Sequence, residues 1–293
     1  MNKFIITSDS SCDLTDKQAS KLNINCAYLS YTIENEIFYD DMNEKHIDEF
    51  YEKMRKGAVP KTSQVPPNEF ITFFEEQIKK GLPVLHLSVS SHLSGTYLSA
   101  VNAAKEVMEQ NPDAYIAVVD SEIGSAGMAM MLFEAIKYRD EEKTIEQAIS
   151  HLNAIKYNIN VFITTNDLTY MRRGGRVSAA GAVISSVLNI CPIISLPKSG
   201  KLFVSHKTRG NAATLKKIIE CVNDTVLKPE KQTLYIAHSD AIEKAKEYGE
   251  AIANEFGFKN VEYLKFGTTI GSHAGPGLVS AWYFGKVRPI IKI

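Results

Sequence analysis

The sequence predicts an α/β protein of two domains, and three observations carry that prediction. Short apolar runs alternate with amphipathic helical patterns over the first 157 residues, the signature of βαβ units and a parallel sheet. Three of the runs lead into polar loops, at 7–11, 88–96 and 120–125, which should gather at the carboxyl edge of one sheet. Near residue 157 the pattern changes to a hairpin signal and glycine turns, which places a domain boundary at 155–160.

The elements follow in order. Phe4-Ile5-Ile6 reads as a buried strand running into TSDSS, and Cys26 to Ile33 as another. EKHIDEFYEKMRKG sets Ile47, Phe50, Tyr51 and Met54 at i, i+3, i+4 and i+7, an amphipathic helix stopped at Gly57. NEFITFFEEQIKKG is a second such helix, ending at Gly81; a strand over 83–88, the loop SVSSHLSGT and a helix to about Glu109 follow. YIAVVD, 115–120, is a strand with a helix after DSEIGSAG, and Thr144 is placed to cap TIEQAISHLNAIK. Beyond 157, VFITT is a strand and DLTYMRRGGRVSAAG a short helix with a glycine turn. GAVISSVLNI is small and apolar on nearly all sides, which suits a buried segment or a cavity wall. CPIISLPKSGKLFVSH reads as two strands turning at Ser199-Gly200. RGNAATLKKIIECVNDTV is a helix, TLYIAHSD a strand, AIEKAKEYGEAIANEFG a helix ending at Gly257, and VEYLKF and VRPIIKI are strand-like. The boundary divides the chain into domains of 1–157 and 158–293.

Composition bounds the function. The chain has 293 residues, 44% of them hydrophobic, enough for a sizeable core. Thirty-three basic side chains against 34 acidic ones, a net charge of −1, argue against a nucleic-acid partner. The four cysteines form no C-x-x-C pair and no histidines sit at zinc spacing, so reduced thiols, a cytoplasmic location and no metal or cofactor are expected. MNKFIITSDSS turns polar too soon for a signal peptide, and no apolar stretch approaches the roughly 18 residues of a membrane span.

Four stretches could carry chemistry. The loop at 88–96 holds Ser88, Ser90, Ser91, Ser94 and Thr96; a nucleophile, an anion cradle or a carboxylate clamp would all use such residues, and helix capping would too. A hydrolase elbow would need a glycine two residues before the serine, absent at both Ser91 and Ser94, and a base, for which His273 is the candidate. No G-x-x-x-x-G-K-[ST] or strand-following G-x-G-x-x-G is present to bind a nucleotide. Thr62, Ser63 and Gln64 lie between prolines, three consecutive polar residues where a cap needs one. His273 sits among Gly271, Gly275 and Gly277, a setting that favours a functional histidine, whereas His46, His151 and His206 read as surface or capping residues, His86 as core, and His238 stays open. YMRRGGRVS is either a solvated basic turn or a docking site for an acidic group.

SDSSCDL, KTSQVPP, LSGTYLSA, YMRRGGRVS and HAGPG occur in that order across nearly the whole chain, and together they resemble the DegV family. The resemblance implies a two-domain fold: an N-terminal parallel sheet with flanking helices, then a second α/β domain with a mixed sheet that forms much of an acyl-chain pocket. A fatty acid is expected between and within the domains. Some members are similar to the binding subunit of fatty acid kinase, a non-catalytic protein that presents the acyl carboxylate to a separate ATP-dependent kinase subunit for acyl-phosphate formation in phospholipid synthesis. Carried over by motif, Thr62, Ser94 and His273 would hold the carboxylate, supported by Ser63, Gly95, Thr96 and Gly275. Arg173, Arg176 and Arg209 would face the kinase, with at most transient membrane contact. The chain departs from the family where a lysine is common in N-I-K-P-I-L: here the stretch is N-I-C-P-I-I, with Cys191. The competing readings are a serine hydrolase acting on acyl esters through Ser94 and His273, and a binder of another anionic small molecule.

Overall fold

The structure, a computed structural model, describes residues 4–177 and 190–291. These pack as two compact units, one of Met1–Ile47 with Pro60–Lys156 and one of Asp48–Val59 with Tyr157–Ile293. The segment GAVISSVLNI falls outside the described residues up to 189, so its part as a cavity wall stays an expectation.

The first unit is built on four parallel strands, β1 (Ile5–Asp9), β2 (Ile24–Ala27), β6 (Val84–Ser88) and β7 (Ile116–Asp120), in the order β2-β1-β6-β7. The central strands β1 and β6 are buried at every position, as a sheet covered on both faces requires. On one face α3 (Pro67–Ile78) and α4 (Thr96–Gln110) cover the sheet. Phe70, Phe74, Ala100, Ala103 and Ala104 pack there on Ile5, Val84 and Ile116, and the alanines let α4 lie close to the strands. Helices α1 (Asp16–Lys21), α5 (Ala126–Asp140) and α6 (Ile145–Ile155) complete this unit. Thr144 caps α6 in a reciprocal capping box with Gln147.

The expected single strand over Cys26–Ile33 is two strands in two sheets. After β2 the Leu29 amide turns to Ser10 Oγ (3.1 Å) and its carbonyl accepts from Asp40 N (2.8 Å), which takes the backbone out of the ladder. The chain resumes as β3 (Ser30–Ile33), which pairs antiparallel with β4 (Glu36–Tyr39) and β5 (Lys61–Ser63). Glu34 and Asn35, both with positive φ, form the two-residue turn between β3 and β4.

The second unit carries a six-stranded mixed sheet, β8 (Ile159–Thr164), β9 (Ile190–Ser195), β10 (Phe203–Arg209), β11 (Thr233–His238), β12 (Asn260–Lys265) and β13 (Val279–Phe284), ordered β10-β9-β8-β13-β11-β12. Only β11 and β12 run parallel; the other neighbours are antiparallel. Helices α8 (Asn211–Thr225) and α9 (Ile242–Phe256) bury Ile218, Val222, Ala245, Tyr248 and Ile252 against Ile193, Leu234, Ile236 and Ala281. Two short helices, α7 (Thr169–Gly174) and α10 (Thr268–Ala274), pack on each other. VRPIIKI forms no strand over the described residues 287–291; Arg288 N instead donates to Tyr157 O (2.8 Å).

Helix α2 (Glu44–Arg55) has the expected buried stripe of Ile47, Phe50, Tyr51 and Met54. Its second half, however, belongs to the second unit, whereas the sequence puts all of 1–157 in the first. Tyr51 Oη donates to Phe266 O (3.0 Å), Asp48 pairs with Lys265, and Arg55 with Asp240, which Lys265 also meets at 3.0 Å. Local periodicity cannot reveal which sheet a helix packs on. Among the described residues no helix is long and apolar enough to cross a membrane.

Candidate functional site

In the first unit the loops after β1, β6 and β7 do meet at the carboxyl edge. A residue that the sequence reading passed over, Asp9, ties them together. Its fully buried carboxylate accepts from Ser88 Oγ (3.1 Å), Val89 N (2.8 Å), Ser11 N (3.2 Å) and Ser11 Oγ. Burial pushes its pKa up and these donors oppose the shift. Ser90 N donates to Ile123 O (2.9 Å) and Ser125 N to Ser11 O (2.8 Å). Ser8, Ser10, Ser11, Ser88 and Ser90 are all buried, so most hydroxyls of these loops satisfy backbone and carboxylate partners inside the fold.

Ser94 differs: it is only half-buried, next to exposed Gly95 at the start of α4. Its Oγ shares a hydrogen bond with Thr96 Oγ1 (2.8 Å) and accepts from Thr96 N (3.2 Å). Ser94 thus caps the helix locally, and buried Thr96 fixes its rotamer. The stretch KTSQ lies against it: Gln64 Nε2 donates to Ser99 Oγ (2.8 Å), and a Cβ on Gly95 would stand 2.0 Å from Gln64 Oε1. The end of the Gln64 side chain thus lies across Gly95. Thr62, on β5 opposite Tyr31, is half-buried, and Ser63 is exposed. The hydrolase alternative gains nothing here, since Ser94 Oγ shares its hydrogen bond with another hydroxyl, Thr96 Oγ1.

In the second unit YMRRGGR and HAGPG come together. His273 lies in the last turn of α10, not in a loop as its glycine neighbours suggest. A Cβ on Gly174 would be 2.1 Å from His273 Nδ1, and one on Gly275, whose φ is +71°, would be 2.1 Å from the Tyr170 ring. Two glycines thus seat an imidazole and a phenol at van der Waals range. Burial, helped by the Arg176 guanidinium, lowers the His273 pKa to about 4, so the ring is neutral at neutral pH. Arg176 is half-buried and donates to Gly174 O, while Arg173 and Arg209 are exposed, Arg209 at the end of β10. Cys191 is buried, with Sγ 3.3 Å from Asn166 Oδ1. Lys244 of α9 senses that thiol, although burial dominates and lowers its pKa.

The other histidines divide by burial. His86 is a core residue, its Nδ1 3.0 Å from Thr7 Oγ1 and its ring edge-on to Phe70 and Phe74, with a pKa lowered to about 3 by burial. Buried His238 accepts from Ala241 N (3.2 Å), and burial lowers it to about 4. His46 pairs with Asp41 (2.6 Å) and His151 with Glu134 (2.7 Å). Among the described residues no cluster of His, Cys, Asp and Glu could hold a metal ion.

The sequence pattern of the DegV family, described as uncharacterised proteins, matches residues 3–286. The chain belongs to the DegV family. A DegV domain-containing protein of Clostridium perfringens is 33% identical over 289 residues, covering 98% of this chain and 99% of the relative. A DegV lipid-binding protein of Thermotoga maritima superposes with a TM-score of 0.86 at 27% identity, covering 98% of this chain and 99% of that one. A DegV protein of Thermus thermophilus described by its fatty acid binding gives a TM-score of 0.85 at 25% identity, covering 97% and 99%. The two-domain α/β architecture, with a parallel sheet followed by a mixed one, is thus that of known DegV structures.

Proposed function

We propose that this DegV protein binds a long-chain fatty acid and presents its carboxylate to a separate ATP-dependent kinase, which converts it to acyl phosphate. The reading rests first on the donor set. Thr62 and Ser94 offer hydroxyls, and His273 offers a neutral imidazole N–H, so a carboxylate would be held by hydrogen bonds and not by a full cationic partner. Such a grip leaves the carboxylate oxygen nucleophilic enough to attack a γ-phosphoryl group, with ADP as the leaving group. The lipid- and fatty-acid-binding descriptions of the similar structures support the ligand class. Each buried CH₂ is worth about 0.8 kcal/mol, so a ~16-carbon chain supplies most of the affinity and the head group needs only to orient. Arg173, Arg176 and Arg209 are the proposed contacts for the kinase; Arg173 and Arg209 are exposed, and Arg176 is half-buried and donates to Gly174 O.

Native mass spectrometry of the purified protein, followed by denaturation and extraction, tests the ligand. One fatty acid per chain is expected. A protein that arrives empty and takes up no added palmitate or oleate would sink the reading. Replacing Arg173 and Arg209 by Glu should abolish acyl-phosphate formation by a fatty acid kinase while leaving lipid affinity unchanged; equal turnover would remove the arginines from the docking role.

A further inference from the structure

A trough of about 920 Å³ opens in the first unit. Along it runs the outer edge of β2, which among the described residues is the terminal strand of the parallel sheet. Its walls are α1 and α3. Crossovers β1-α1-β2 and β6-α4-β7 run in opposite directions along the sheet, so right-handed connections place α1 and α4 on opposite faces, and α3 packs beside α4. The edge strand therefore lies in a slot open in the plane of the sheet and closed above and below it. An edge strand presents a row of unpaired N–H and C=O groups, which natural proteins usually cover or blunt.

We propose that this slot receives an extended segment of a partner protein, rich in both apolar and basic residues, which adds to β2 as a fifth strand. The backbone edge supplies main-chain hydrogen bonds and the walls read alternate side chains. The apolar positions meet Phe73 and the exposed rings of Tyr28 (42%) and Tyr39 (52%), a residue type enriched at interfaces. The basic positions meet Glu69 and Glu76, exposed two turns apart on α3, and Asp16 on α1. Among the described residues none of these three carboxylates has an ion-pair partner. Of the two cations lining the slot, Lys80 rests on Gln77 Oε1 (3.2 Å) and keeps its charge, while buried Arg139 is paired with Asp140 (3.0 Å) and donates to Leu22 O (3.1 Å), so three carboxylates face one uncompensated cation. The net field in the slot favours a cationic guest.

The test uses the full chain and an acetylated, amidated heptapeptide of alternating Val and Lys. Hydrogen exchange should slow at residues 24–28 on peptide addition, with saturable one-to-one binding. The same peptide N-methylated at alternate residues cannot form the ladder and should bind about tenfold more weakly. Exchanging Glu69 and Glu76 for Lys, both on an exposed helix face, should weaken the unmethylated peptide by a similar factor, about tenfold. Equal binding of the methylated peptide, indifference to the E69K/E76K pair, no peptide binding, or protection of 24–28 by palmitate alone would each overturn strand addition. The last outcome would make the slot a lipid site.

Discussion

The polar loops of the first unit and the α7–α10 pair of the second both position candidate ligand groups, by different means. The first arrangement is a hydrogen-bond network centred on a buried carboxylate: Asp9 takes donors from two loops, and Ser94 is oriented by Thr96. The second is steric, with His273 against Gly174 and Tyr170 against Gly275. A network of short hydroxyls can rearrange around a lost partner. A ring wedged on a glycine cannot, because the added Cβ meets a rigid plane. The two regions should therefore answer mutation differently.

The largest contrast is between two glycines. Gly275→Ala adds a clash with Tyr170 and an unfavourable φ, and should cost about 4 kcal/mol in denaturant unfolding. Gly95→Ala meets only the end of the flexible, exposed Gln64 side chain and should cost about 1 kcal/mol. Equal costs would erase the distinction. Next comes Asp9→Ala, which strands Val89 N and three donors of Ser11 and Ser88 inside the fold and should cost about 3 kcal/mol. A change below about 1 kcal/mol would mean that water replaces the carboxylate.

Acid should expose a third difference. His86, with a folded pKa near 3 against 6.5 unfolded, contributes stability that is fully present above pH 6.5 and is lost as pH falls toward 3, because only the unfolded chain takes up the proton. At pH 5 its share of the loss is about 2 kcal/mol, and His86→Leu should flatten the slope of stability against pH by that amount. His273, with a pKa near 4, stays neutral as pH falls through 6.5, so fatty-acid affinity should hold steady from pH 8 to 6, above the range where the ligand's own carboxyl takes up a proton. Affinity that tracked the titration of an ordinary histidine near 6.5 would contradict the steric seat. The smallest effect is expected for Ser94→Ala, about 1 kcal/mol of ligand affinity and a similar loss in helix capping, seen by calorimetry and thermal melts.

Much of this architecture was legible in the chain. Periodicity located α2, α3, α8 and α9, the apolar runs located β6, β7 and β11, and Thr144 marked the start of α6, because each signal lies within a few turns of its own residues. Five ordered motifs were enough to identify the family. What needed tertiary structure was every statement about which distant segments meet. Leu29 leaves β2 because Ser10 claims its amide, α2 crosses to the second unit because Lys265 and Phe266 await it, and Asp9 joins loops that stand about 80 residues apart in sequence. The chain also conceals that Gly95, Gly174 and Gly275 are contact points and not flexible joints. Sequence by itself determined the family, the element types and the candidate donors, since propensity and periodicity are local. The tertiary structure decided which hydroxyls are used up in the core, that His273 sits neutral on a helix, and that β2 is the terminal strand of its sheet among the described residues, since burial and pairing depend on residues far along the chain.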